Sequence, residues 1–301
     1  GGAADQGEQL VGGARRGELL LGLGAAVGFV SGLFGIGGGS GGVRCARIAA
    51  THGARVGVAE ERFWGGTCVN VGCVPKKIMI QAAEYGFWAE EAGAFGWDII
   101  KNTHHWPVLK QARDAEVERL SAIYGRLLGN AGVTSFEARA TFVDAHTLDV
   151  GGKRVTAERI VIATGSHALK PEIPGAELGM ISDDLFTLEA LPKRVAVVGG
   201  GYIALEFATL LRGLGAEVDL LYRQPLPLRG FDHDIREAVK DAIANLGITQ
   251  HPGQEVARLD KVEGGIRVTG HAGAERVVDA VMFATGRQAN TGGLNLEAVD
   301  I

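Results

Sequence analysis

The sequence predicts an α/β protein built on two βαβ units, and three features carry that expectation. Two strand-like runs each enter a glycine turn and leave it as a helix, at Gly37-x-Gly39-x-x-Gly42 and at Gly199-x-Gly201-x-x-Ala204. Each helix leads to a second short strand, which completes the strand–turn–helix–strand order that makes such a turn meaningful. Between the units, residues 134–162 alternate apolar and polar side chains around Gly151-Gly152, the pattern of a small antiparallel meander. The fold class is therefore α/β with two Rossmann-like, three-layer (ββα) nucleotide-binding domains, the first of which carries an antiparallel β-meander.

The elements run in order along the chain. In the first unit a strand over 33–36 leads to the turn, a helix over 43–52 and a strand over 55–59 that ends at Glu60. Glycine lets the backbone approach a pyrophosphate, and the helix N-terminus faces the anion. Gly37, Gly39 and Gly42 are the residues for that role, with Ser40 in the same loop. Glu60 stands where an acid accepts ribose hydroxyls; a solvated strand end is the alternative. Residues 76–85 and 107–128 have helical periodicity. A strand then runs into Ala163-Thr164-Gly165, and a similar strand–Ala-Thr-Gly element recurs over 281–286. In the second unit the strand covers 194–198, the helix 203–214 and the next strand 217–222. The boundaries are a 32–165 domain, a 166–289 domain and a short return segment, 290–301.

The second unit departs from the usual acid at the end of its second strand. Tyr222 and Arg223 stand there, and Arg229 comes six residues later in the loop. An acid would accept the two hydroxyls of an unphosphorylated ribose, whereas two guanidinium groups suit a 2′-phosphate. Two solvated loop arginines are the alternative reading.

The chain has 301 residues, a formal charge of −5, 46% hydrophobic and 22% charged residues. That is room for two ordinary cores, without the basic footprint of a nucleic-acid binder. Three cysteines do not make a disulfide scaffold and fit a reducing cytoplasm. Residues 1–31 are atypical. Arg15 and Arg16 precede an uncharged run, and residues 19–36 are long enough for a marginal membrane span, in the manner of a signal peptide or a transporter helix. Part of that run must also supply the first strand, so a membrane role is not expected and residues before about 32 are read as foreign to the fold.

The densest signal is Gly65-Gly66-Thr67-Cys68-Val69-Asn70-Val71-Gly72-Cys73-Val74-Pro75-Lys76-Lys77. Pro75 suits the first turn of a helix, and that helix's N-terminus favours a thiolate at Cys73. A zinc half-site or a structural bridge are the other readings of the two cysteines, but zinc cysteines usually come in two closely spaced pairs. The whole run resembles the active-site segment of the flavoprotein disulfide reductases, the class I pyridine nucleotide-disulfide oxidoreductases, and is most similar to their glutathione-reducing members. The resemblance extends over about 33–301.

That resemblance implies a set of cofactors and residue roles. FAD binds the first domain, with Gly66, Thr67, Thr164 and Gly165 against it, and NADPH binds the second. Cys73 is the thiol facing the flavin, and Cys68 is the interchange thiol that attacks the substrate. Lys76 and Glu206 pair beside the flavin, Tyr202 covers the nicotinamide pocket, and Arg287 adds a contact on the nicotinamide side. Ser40, Arg47 and Tyr124 contact glutathione disulfide, although Arg47 and Tyr124 are also ordinary residues for helix faces. Cys45 is read as an inert, buried thiol. Family members are homodimers. Their ribitol-binding Gly-Asp motif, interface domain and C-terminal His-Glu pair have no counterpart within these 301 residues, so activity and stable FAD binding by this chain alone are expected to be poor. A thioredoxin-reducing member, which shares Pro-Lys-Lys, is the runner-up within the family; a transport fragment and an inactive nucleotide-binding module are the readings outside it.

Overall fold

The computed structural model describes residues 32–99 and 103–301. The atypical segment 1–31, and with it most of the apolar run 19–36, lies outside the described residues. The chain forms two compact units. One comprises the described residues through Trp64, with Tyr124–Thr164 and Thr291–Ile301; the other comprises Gly65–Ile123 and Gly165–Asn290.

In the first unit, β1 (Leu33–Ile36) is followed by α1 (Ser40–Thr51), β2 (Val56–Ala59) and β3 (Thr134–Phe136). A ribbon of β4 (Ala140–Asp144), β5 (Thr147–Val150) and β6 (Lys153–Thr156) then leads to β7 (Arg159–Ile162). The parallel sheet has the order β3-β2-β1-β7. Alternation along β1 divides the core. Phe34 and Ile36 bury against Ala140, Phe142, Leu148 and Val150 of the ribbon. On the opposite face Val43 and Ala46 of α1, one helical turn apart, meet Val56 and Val58. Helix, parallel sheet and antiparallel ribbon are the three layers.

The meander is narrower than residues 134–162. Its outer strands β3 and β7 join the parallel sheet instead, because Phe136 packs on Phe34 at 5.5 Å between ring centres and Ile160 and Ile162 add to the same core. Helix α1 also starts at Ser40, three residues earlier than expected.

The second unit repeats the plan. It begins with α2 (Gly66–Asn70), α3 (Cys73–Glu91) and the first part of α4 (Trp106–Asn130). Then come β8 (Ser166–Ala168), β9 (Met180–Ile181), α5 (Ser182–Leu185), β10 (Arg194–Val198), α6 (Tyr202–Gly213), β11 (Glu217–Tyr222), α7 (His233–Asn245) and β12 (Thr249–Pro252). A second antiparallel ribbon, β13 (Val256–Val262), β14 (Gly265–Gly270) and β15 (Glu275–Val278), precedes β16 (Ala280–Phe283) and β17 (Arg287–Ala289). The parallel sheet runs β12-β11-β10-β16-β9. Its β-branched centre, Val195 to Val198, sends alternate residues to opposite cores. Ala196 and Val198 face the ribbon residues Leu259, Ile266 and Val268, while Val195 and Val197 face Ala204, Ala208 and Leu211 of α6.

Helices α3 and α6 approach until their backbones touch. A Cβ on Gly86 would lie 2.0 Å from the Gly213 carbonyl oxygen, and one on Gly213 would lie 2.7 Å from both Cβ and O of Ala83. Nearby, Arg113 of α4 is fully buried and donates to the Phe186 carbonyl at 2.6 Å and to Asp114 at 2.6 Å, with its guanidinium over the Trp106 and Phe186 rings. Burying that charge is tolerated because its donors are met. No helix among the described residues is long and apolar enough to cross a membrane.

The crossing yields a stability prediction. Gly86→Ala and Gly213→Ala should each lower the unfolding free energy by about 1–3 kcal/mol through overpacking. Gly125→Ala, whose Cβ would meet nothing within 4 Å, should raise it by about 0.5–1 kcal/mol. Thermal unfolding of the three variants tests this; equal shifts for all three would refute the tight crossing.

Candidate active site

The first glycine turn closes on the end of β1. Gly37 has φ 108°, and a Cβ there would sit 2.3 Å from the Ala163 carbonyl oxygen, so only glycine fits. Gly39 is the N-cap of α1, Ser40 is its exposed first residue, and a Cβ on Gly42 would strike the Gly37 carbonyl at 1.8 Å. Glu60 comes directly after β2 and reaches back over the turn: its carboxylate accepts the Gly38 amide at 2.7 Å and the Arg62 amide at 2.8 Å. The Gly38 contact was not legible in the sequence. It anchors Glu60 beside the turn, where a carboxylate has to stand to accept ribose hydroxyls. Arg47 lies half-buried on α1, and Tyr124 is packed among Val43, Val58 and Leu128.

In the second unit the two cysteines occupy two separate helices. Cys68 is on α2, and Cys73 is the first, exposed residue of α3. Gly72 makes the join possible, since a Cβ there would lie 2.7 Å from the Thr67 carbonyl. Gly66, with φ 60°, opens α2, and Thr67 is the next residue within it; the Thr67 carbonyl also accepts the Val71 amide at 3.0 Å. Cys68 is half-buried, and Cys45 on α1 is half-buried too, not buried as expected. Pro75 falls in the first turn of α3, where its missing N–H costs nothing.

One turn into α3, Lys76 pairs with Glu206 of α6, and Lys77 reaches the other oxygen of the same carboxylate at 3.4 Å. Lys76 and Glu206 are 12% and 29% exposed at the side chain, so the pair is shielded more than a surface ion pair. The ion pair joins the helix that starts at Cys73 to the helix that starts at the second glycine turn. Lys77 as a second cation on that carboxylate was missed by the sequence reading, which gave the doubled lysine only one role.

The second turn repeats the first. Gly199 has φ 143°, and a Cβ there would lie 2.4 Å from the Ala284 carbonyl. Gly201 is the N-cap of α6, and a Cβ on it would project into open space. The turn thus opens onto a helix N-terminus, the kind of arrangement that takes a pyrophosphate. Tyr202 is the exposed first residue of α6, and Ala204 is buried against the sheet. At the end of β11, Tyr222 is buried and donates to Gln250 at 3.0 Å, and burial pushes its hydroxyl above the usual phenol range. Arg223 and Arg229 are both exposed on the loop after β11. Thr164 and Gly165, the latter with φ 70°, lie just past β7, where the chain passes from one unit to the other. The Arg287 guanidinium is engaged by Ser166, at 2.9 Å from its hydroxyl and 2.5 Å from its carbonyl.

Residues 35–301 match the family Pyridine nucleotide-disulphide oxidoreductase. The chain belongs to the pyridine nucleotide-disulphide oxidoreductase family. It is 47% identical over 269 residues to a glutathione reductase of Burkholderia cepacia, covering 89% of this chain and 60% of that protein. It is 36% identical to the thioredoxin reductase SEP1 of Emiliania huxleyi, over 88% of this chain and 58% of that one. Among solved structures, the Cu(II) complex of the HOCl-induced flavoprotein disulfide reductase RclA from Escherichia coli is similar with a TM-score of 0.79 and 28% identity, over 89% of this chain and 59% of that one. The chain thus spans about 60% of the length of the curated relatives it matches. Family membership accounts for two glycine turns and a cysteine pair in one chain.

At the far end of α3 from the cysteines, Tyr85, Trp88, Phe95, Trp97 and Ile99 line an open apolar groove of about 380 Å³, which takes no part in the dithiol site.

A double-mutant cycle on Lys76→Met and Glu206→Gln should return a coupling of about 1–2 kcal/mol, between the exposed and buried limits for ion pairs. Unfolding of the two single variants and the double variant measures it. Strict additivity would mean that the two helices are held without the pair.

Proposed function

We propose that this chain is the nucleotide-binding and dithiol-bearing part of an FAD- and NADPH-dependent disulfide reductase acting on glutathione disulfide in a reducing compartment such as the cytoplasm. The observation that carries the reading is the Lys76–Glu206 pair, which links the helix opening at Cys73 to the helix opening at the second dinucleotide turn. In this reading the first turn and Glu60 hold FAD, while the second turn with Arg223 and Arg229 holds NADPH. When bound, the two cofactors would supply the electron pair that keeps Cys68 and Cys73 reduced.

The protein's own residues carry out the exchange. The Cys68 thiolate attacks one sulfur of the substrate disulfide, forming a mixed disulfide and expelling one glutathione thiolate. The Cys73 thiolate then attacks the Cys68 sulfur, expelling the second glutathione and leaving a Cys68–Cys73 disulfide. Two electrons pass from the cysteine pair to the substrate, and two protons are taken up by the departing thiolates. Lys76 supplies a fixed positive charge one turn from Cys73, and Glu206 holds that lysine in place. Ser40, Arg47 and Tyr124 are the residues proposed to orient glutathione disulfide, and the working form is proposed to be a homodimer. A thioredoxin-type substrate is the second reading, favoured by the 36% identity to SEP1.

Two measurements test this. In the full-length protein, NADPH oxidation should depend on glutathione disulfide and fall to background in both Cys68→Ser and Cys73→Ser; faster turnover with oxidised thioredoxin would transfer the assignment to the second reading. Replacing Arg223 and Arg229 together by Ala should weaken NADPH binding relative to NADH by at least the ~1.5–3 kcal/mol of one charge-assisted contact. Equal weakening of both nucleotides would remove the 2′-phosphate role.

A further inference from the structure

The loop between β11 and α7 carries both arginines proposed for the 2′-phosphate, yet its sequence, Arg223-Gln-Pro-Leu-Pro-Leu-Arg229-Gly, does little to fix its own shape. Pro225 and Pro227 lack amide donors, so the carbonyls around them have few partners within the loop. Leu228 adopts φ 53°, a left-handed conformation that L side chains enter only when the surroundings enforce it. The loop is therefore shaped from outside.

Three sets of contacts do this. The Leu228 amide donates to the Gly200 carbonyl of the second glycine turn at 2.7 Å, and the Phe231 amide donates back to the Leu228 carbonyl at 3.1 Å. A Cβ placed on Gly200 would lie 3.8 Å from Pro227 Cα, so the loop passes directly over the turn. At the β11 end, the Gln254 amide donates to the Tyr222 carbonyl at 3.2 Å. The third set comes from one side chain. Arg236, in the first turn of α7, donates through Nε to the Pro227 carbonyl at 2.7 Å and through Nη2 to the Leu226 carbonyl at 2.8 Å. Its planar fork satisfies two adjacent carbonyls at once, which a lysine ammonium does less well.

We infer that Arg236 is a positioning residue for nucleotide selectivity: it clamps the loop so that Arg223 and Arg229 stand beside the second glycine turn. This inference rests on the 2′-phosphate reading above. The Arg236 guanidinium is engaged by two carbonyls of the loop, so its proposed action runs through the loop. Its effect is confined to the loop, so it should change recognition of the 2′-phosphate and leave the pyrophosphate-binding turn, which both nucleotides share, intact.

The test uses the full chain, with binding of NADPH and NADH by calorimetry and amide exchange by mass spectrometry. In Arg236→Met, exchange at Leu228 and Phe231 should accelerate. NADPH affinity should fall about tenfold, the equivalent of one charge-assisted contact, while NADH affinity stays within about twofold. Arg236→Lys, which keeps one donor group, should fall between wild type and Arg236→Met, and it provides the same readouts if Arg236→Met does not fold. Unchanged exchange, unchanged NADPH affinity or an equal loss for both nucleotides overturns the inference. The Arg223→Ala/Arg229→Ala variant is measured in parallel. If it is selective and Arg236→Met is not, the positioning role fails alone; if it is not selective, the 2′-phosphate reading fails and the inference goes with it.

Discussion

Two points of contact between α3 and α6 fix the second unit. At one end the helices meet backbone to backbone through Gly86 and Gly213, and near the other end Lys76 and Glu206 bring opposite charges together. A pair of helices held at two separated points cannot rotate about its crossing without breaking one of them. This constraint sets where Cys73 stands relative to the glycine turn that opens α6. A side chain at either glycine would move the helices apart and stretch the ion pair, so the packing and the electrostatics depend on each other.

The glycine turns were readable because their chemistry is local. Gly37 and Gly199 both take left-handed backbone, and both would clash with a carbonyl just past the strand that neighbours β1 or β10. Strands β1, β10 and β11 fall where the sequence puts them. The early start of α1 was hidden because Ser-Gly-Gly has poor helix propensity, and tertiary context overrides it. The second antiparallel ribbon, β13 to β15, was missed because Val-Ala-Arg-Leu-Asp-Lys-Val lacks strict apolar alternation, in keeping with the register shift between Val256 and Arg258. That residues 65–123 pack with 165–290 has no local signature at all.

The candidate site divides in the same way. Cysteine spacing, the glycines and Lys76 with Glu206 are written in short motifs, whereas the partners that orient them are not. Neither the Gly38 amide on Glu60 nor the second cation Lys77 on Glu206 could be read from residue type, since each depends on the direction taken by a side chain after folding. The cysteines show the limit clearly. Their spacing does not reveal that the chain breaks at Gly72, so that Cys68 lies in the short helix α2 and Cys73 opens the longer helix α3.

The sheet order of the first unit has a consequence during synthesis. Strand β1 lies between β2 and β7. Its pairing with β2 closes after about twenty residues, but its other edge pairs with β7, roughly 120 residues further along the chain. At about 5–20 residues per second, that edge stays unpaired on a ribosome for something like 6–25 seconds. Leu33 to Ile36 are apolar or glycine, the kind of edge that recruits other strands. The interval over which residues 60–160 are synthesised is therefore the period in which this edge is open to wrong partners.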